Sequence, residues 1–213
     1  MSTTQTRAAR RSPAQRRAQI LDAARSLALD EGLSALTLRA VAARAAVAPA
    51  LVSHYVPSMD DLVVATFSGI VGAELDELSA LTAGGPALDR LAALLPTVLD
   101  GTRDDATLVW IEAYAMGRRS EALAVAVRNE MDLWHRALRD LVAAGVDEGV
   151  FHVESATDAA WQLLGMIDGL NAQSLVRWGG ASDRSALAAR AVEGMLGLRP
   201  GRLDHRNHEE ETP

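Results

Sequence analysis

Apolar positions recur at helical spacing along nearly the whole chain, and no stretch sustains the alternation of a strand. The first helix is marked at its start by Ser12-Pro13-Ala14-Gln15. Ser12 is placed to cap, Pro13 suits the first helical position, and Gln15 sits where a capping-box partner reaches back. Ile20, Ala24, Leu27 and Ala28 then form one apolar stripe, and Gly32 supplies the stop. Thr37 caps a second, short helix whose inner face is Leu38, Val41, Ala42 and Ala45. Pro49 opens a third helix of about two turns, which reaches His54. A long fourth helix follows Pro57, with Ser58 and Asp61 at capping-box spacing. It runs to about Thr82, roughly 36 Å at 1.5 Å per residue. Ala83-Gly84-Gly85-Pro86 is the clearest break. Beyond it the pattern predicts helices at 87–100, 104–117, 120–146, 155–178 and 182–197, with Ser120, Ser155 and Ser182 capping the last three. Pro96 is expected to kink the first of these or end it early. The chain is therefore all-α.

The later helices differ in how their apolar residues are arranged. Helix 120–146 carries a stripe of Leu123, Val127, Met131, Trp134, Leu138 and Leu141, with Arg128, Asp132, Arg136 and Arg139 pointing away. Helix 155–178 is apolar on most of its circumference, through Ala160, Trp161, Leu163, Leu164, Met166, Ile167 and Leu170. A helix of that kind in a chain of 213 residues needs a partner beyond its own core. Helix 182–197 adds Leu187, Ala188, Ala191, Val192 and Leu196. Two such helices from each of two copies make a four-helix bundle, a homodimer joined through Trp161, Leu164, Leu187 and Ala191. The expected organisation is a basic arm at 1–11, a three-helix unit at 12–57, a helical body at 58–201 and a disordered polar tail at 202–213.

Composition removes several classes of chemistry. There are no cysteines, so disulfides, thiol catalysis, Fe–S clusters and Cys-based zinc sites are excluded. His205 and His208 in the tail are too few for a metal site, and no metal or cofactor is expected. The longest apolar stretch, Leu62 to Ala73, is far short of the ~20 residues of a membrane span, and the arginine-rich start does not read as a secretory signal. No membrane partner is expected, and the reading is cytoplasmic. The net charge of −7 conceals an asymmetry: residues 1–56 hold eight arginines against Asp22, Asp30 and Glu31, while the remainder is strongly acidic. A basic head on an acidic body points the head at a polyanion.

Three short helices with a tight turn between the second and third are the pattern of a helix-turn-helix, whose last helix enters the major groove of double-stranded DNA. The residues placed to contact it are Thr37, Leu38, Arg39 and Arg44 of the second helix. Pro49, Ala50, Leu51, Ser53, His54 and Tyr55 of the third join them. Tyr55 reads equally well as core packing beneath the fourth helix. Residues 16–63, from Arg16-Arg17 through Ile20-Leu21, Ala24, Gly32, Thr37, Val41-Ala42, Val47, Tyr55 and Pro57-Ser58, resemble the DNA-binding region of TetR/AcrR-type transcriptional regulators. Ala46 stands where that family usually has Gly at the turn, Ala48 where it has a capping Ser, and Val56 where Phe is frequent. Ser53 and Met59 replace a common Tyr and Lys that contact phosphates, which leaves His54, Tyr55 and the arginines to carry more of the binding.

The body resembles the C-terminal domain of the BetI-like branch, with Trp110, Asp147-Glu148-Gly149 and Asp168-Gly169-Leu170 in the expected order. The resemblance implies a domain that dimerises and binds a small molecule, and a repressor released from a palindromic operator when that effector tilts the fourth helix. Aromatic and polar residues inside the aliphatic body are the candidates for the effector site: Trp110, Glu112, Tyr114, Met116, Trp134, His135, Gln162 and Met166. An acid beside aromatics suits an organic cation. The same aromatics also read as core filling, His135 as a boundary histidine, and Asp168 as structural or dimer-facing. Two rival functions remain at this point, a helical interaction module that has lost specific DNA binding and an all-helical enzyme. No nucleophile–base pair, paired carboxylate site or phosphate loop supports the second.

Overall fold

The computed structural model describes residues 12–178 and 184–203. Its first helix, α1 (Pro13–Glu31), starts where the sequence places it. The Ser12 hydroxyl accepts from the Gln15 N–H at 3.2 Å, and the Gln15 side chain accepts from the Ser12 N–H at 2.9 Å. Gly32 ends it at φ +88°. A 3₁₀ turn, Leu33–Ala35, which the apolar pattern does not reveal, leads to α2 (Leu38–Arg44). The Thr37 hydroxyl caps α2 through the Ala40 N–H at 3.1 Å. Ala46 takes the left-handed conformation of the turn, φ +52°, and α3 (Pro49–Tyr55) follows. Ile20, Ala24, Leu27, Ala28, Val41, Ala42 and Val52 meet in the buried centre of this head. Each large side chain so buried contributes about 1.5–3 kcal/mol.

Helix α4 (Met59–Leu81) packs its first half on α1 and carries its second half into the body against α7 (Glu121–Asp147). At its start the Ser58 hydroxyl accepts from the Asp61 N–H and donates to the Asp61 carboxylate at 2.8 Å. The capping box is thus half closed, because an aspartate is one methylene short of the reach of the usual Glu. Helices α5 (Ala87–Leu99), α6 (Asp104–Gly117) and α8 (Ala156–Leu175) surround α7, and α9 (Arg184–Met195) lies on α5 and α8. Ser120 and Ser155 cap α7 and α8 as expected, whereas Ser182 falls outside the described residues.

Of the two outcomes expected at Pro96, early termination does not occur, since α5 continues to Leu99; beside it, the Thr97 hydroxyl donates to the Ala93 carbonyl at 2.9 Å. Two expectations need correction here. Helix α8 stops at Leu175, and it is not buried all round. Ala159, Ala160, Leu163, Leu164 and Ile167 are covered, while Trp161, Gly165 and Gly169 face outward. The polar tail does not begin at Arg202, because Leu203 is buried and donates its N–H to the Glu193 carboxylate at 2.8 Å. Residues 1–11 and 204–213, with His205 and His208, lie outside the described residues. Among those described, no single helix is long and apolar enough to cross a membrane.

Candidate functional site

Two separate regions bring the candidate residues together. The first is the outer surface of α2 and α3. Val52 is buried and Leu51 and Tyr55 half-buried, which turns Pro49, Ala50, Ser53 and His54 to the outside. His54 lies edge-on to Tyr55, ring centres 5.0 Å apart, and the Ser53 hydroxyl donates back to the Pro49 carbonyl at 3.4 Å. On α2, Thr37 and Arg39 are exposed and Leu38 is half-buried against the core. Arg44 is differently placed: its guanidinium is tied to Asp30, Glu31 and the Ser26 hydroxyl at the end of α1. It fastens α2 to α1, leaving Arg39 as the guanidinium of this helix that faces outward.

The second region is a cavity between α4, α6, α7 and α8. Trp110 and Tyr114 reach it from α6, Met131 and Trp134 from α7, and Leu164, Ile167 and Asp168 from α8. Glu74 completes the wall from α4, with Val98 of α5 at one end. Trp110 stands edge-on to Phe67 with ring centres 5.1 Å apart, and Tyr114 is tilted against it at 5.7 Å. The Trp110 indole N–H donates to Glu74 at 3.4 Å, and the Tyr114 hydroxyl to Asp168 at 3.2 Å. The indole N–H of Trp134 is buried without a partner. Space open to the centre of a water molecule is about 50 Å³, room for a few waters.

Burial sets the electrostatics of this cavity. It pushes the Glu74 carboxyl above its ordinary range, against the lowering effects of the Trp110 hydrogen bond and of Arg103 at 3.8 Å. It raises Asp168 likewise, with the Tyr114 hydroxyl pulling the other way. Tyr114 is itself raised, by burial first and then by the Asp168 charge, so it stays a protonated donor. Among the described residues, Asp168, partnered by the Tyr114 hydroxyl alone, and Glu74, with Arg103 as its one cation at 3.8 Å, lie beside aromatic faces and make a place that favours a cation.

Of the residues expected at an effector site, Trp110, Tyr114 and Trp134 come together, and the others do not. Glu112 points from the opposite side of α6 to the head, where it accepts from the N–H and hydroxyl of Ser34, both at 2.8 Å. Met116 lies in a separate groove with Asp60, Val63 and Arg119. The His135 ring stacks at a tilt on Trp161 and is held at the Thr157 carbonyl, 3.1 Å away. Gln162 is exposed, and Met166 is half-buried outside the cavity. Of the expected dimer residues, Trp161, Leu187 and Ala191 are exposed, but Leu164 is buried in its own chain and lines the cavity. Glu74 is not among the expected residues, and Asp168 is expected only as structural or dimer-facing; both line the cavity. A signal existed for Asp168, an acid in the middle of an apolar helix.

Comparison with known proteins matches both regions. The model for bacterial regulatory proteins of the tetR family covers residues 20–66, and that for the C-terminal part of BetI-type transcriptional repressors covers residues 87–197. The HTH-type transcriptional regulator BetI of Rhizobium meliloti (strain 1021) is 30% identical over 158 residues, 73% of this chain and 75% of that one. A transcriptional regulator from Saccharomonospora viridis, solved in complex with choline, shares the fold with a TM-score of 0.74 at 21% identity, covering 86% of this chain and 96% of its own. A TetR transcription regulator from Haloarcula marismortui gives 0.73 at 21%, over 86% and 97% of the two chains. The chain thus belongs to the TetR family of transcriptional regulators and carries a BetI-type C-terminal domain.

Proposed function

We propose that this regulator acts in the cytoplasm as a homodimeric repressor, holding a palindromic operator through two copies of α3 and releasing it when a small organic cation occupies the body cavity. The observation that carries the effector class is the pairing of Glu74 and Asp168, two largely buried carboxyls, with the rings of Trp110, Tyr114 and Trp134. A quaternary ammonium group gains from the ring faces and the acids together. The choline bound in the Saccharomonospora viridis protein is of this class. A cation that fits one conformation of the body better than the other shifts the equilibrium by its differential affinity.

For the dimer, the exposed faces of Trp161, Leu187 and Ala191 on α8 and α9 are the proposed contact. The two copies of α3 then meet half-sites about 34–36 Å apart, one turn of DNA. The test is fluorescence anisotropy on a duplex selected from a random library by the wild-type protein, across a salt series and with choline chloride as the probe. Expected are binding that falls steeply with salt, loss of binding with choline, and no choline response in Glu74→Gln or Asp168→Asn. Choline that alters neither DNA affinity nor tryptophan fluorescence in the wild type removes the organic-cation reading.

A further inference from the structure

We infer that Glu112 is the positioning residue through which the state of the cavity reaches the DNA-binding head. Helix α6 ties three parts of the molecule together with three side chains spaced two apart. Trp110 donates to Glu74 on α4, Glu112 accepts from Ser34 in the head, and Tyr114 donates to Asp168 on α8. Two residues along a helix turn a side chain through about 200°, and four bring it back to nearly the same face. Trp110 and Tyr114 therefore share the cavity face, and Glu112 takes the opposite one.

The contact with the head is rigid in its geometry. One carboxylate oxygen receives the Ser34 N–H and the other its hydroxyl, a two-point grip that fixes orientation as well as distance. The carboxylate also lies against Gly32, where a Cβ would come within 2.5 Å of it. Gly32 is the left-handed residue between α1 and the 3₁₀ turn, so the grip closes on the joint of the head nearest to α6. A ligand that takes Glu74 or Asp168 breaks the ties of Trp110 or Tyr114 and frees α6 to turn. Glu112 carries that turn to Ser34 and α1.

The coupling is reciprocal, so DNA at the head must be felt in the cavity. The test follows hydrogen–deuterium exchange of the 104–117 segment in the full-length protein, with and without the library-selected duplex. In the wild type, DNA slows exchange there by about five-fold or more, the lower end of typical coupling. In Glu112→Ala the duplex still binds, but exchange at 104–117 no longer responds. Glu112→Gln, which keeps an acceptor, and Ser34→Ala, which removes one of the two bonds, retain part of the response and serve if the alanine variant fails to fold. Protection at 104–117 that is undiminished in all three variants overturns the assignment. A second arm, which rests on the organic-cation reading, titrates choline: Glu112→Ala binds it as the wild type does but keeps its DNA. If choline fails to bind the wild type, the effector class falls while the exchange result still decides the role of Glu112.

Discussion

Ala46 shows most directly how one residue can conflict with the local fold. Its φ of +52° costs an L residue about 1–2 kcal/mol relative to Gly, and Gly returns part of that as extra freedom in the unfolded chain. Ala46→Gly should stabilise the protein by about 0.5–1 kcal/mol, read from thermal melts at fixed protein concentration. Asp168 poses the opposite problem, because its conflict is useful. Burial raises its pKa in the folded state, so the folded protein holds a proton that the unfolded chain has released. Stability from this group is full below the ordinary carboxylate range and is lost as pH rises through the raised value. At neutral pH it therefore destabilises the fold, and Asp168→Asn should raise the melting temperature there while flattening its fall with pH. The same variant should lose the cation response. A melting temperature that drops in Asp168→Asn at neutral pH would show that the carboxylate is structurally required.

At the scale of elements, α2 displays two arginines with different work to do. Arg39 is exposed and points outward, so Arg39→Ala should weaken binding similarly across DNA sequences and lower the salt slope by about one. Arg44 is held by Asp30, Glu31 and Ser26, so Arg44→Ala should leave that slope unchanged and cost at most about 1 kcal/mol, since its partners are largely exposed. The two slopes from one salt series decide between them. The helices themselves were legible because their signals are local: Ser12, Thr37, Ser58, Ser120 and Ser155 each act within the next three residues. The cavity was legible only through its aromatics. Glu74, Trp110 and Asp168 sit on three helices far apart in the chain, and no periodicity within one helix shows that they meet. Glu112 was misplaced for a related reason, since nearness in sequence to Trp110 means the opposite face of the helix. Helix α8 misled because Trp161, counted in its apolar circumference, is exposed, and Met166 and Leu170 are only half-buried.

The whole molecule presents a basic helix-turn-helix head, a BetI-type C-terminal domain, and an outer face on α8 and α9 that we propose as the surface through which copies pair. Membership in a family of DNA-binding regulators removes the enzyme reading. Trp161 is 56% exposed and Leu187 50%, two large apolar side chains on the face proposed for pairing. Leu187→Asp should therefore give a folded monomer in sedimentation, with DNA affinity reduced by about 100-fold or more through loss of bivalent binding. Leu164→Asp should instead damage the body, because that side chain is buried within its own chain. An intact dimer in Leu187→Asp would move the interface elsewhere. The division of α6 into two faces has a consequence for how such a sensor diversifies. Residues at 110, 114 and their cavity neighbours can be exchanged for new chemical preferences while 112 keeps its grip on the head. Recognition can drift while the output stays fixed, so a library randomised on the cavity face alone should yield regulators with new inducers and an unaltered operator.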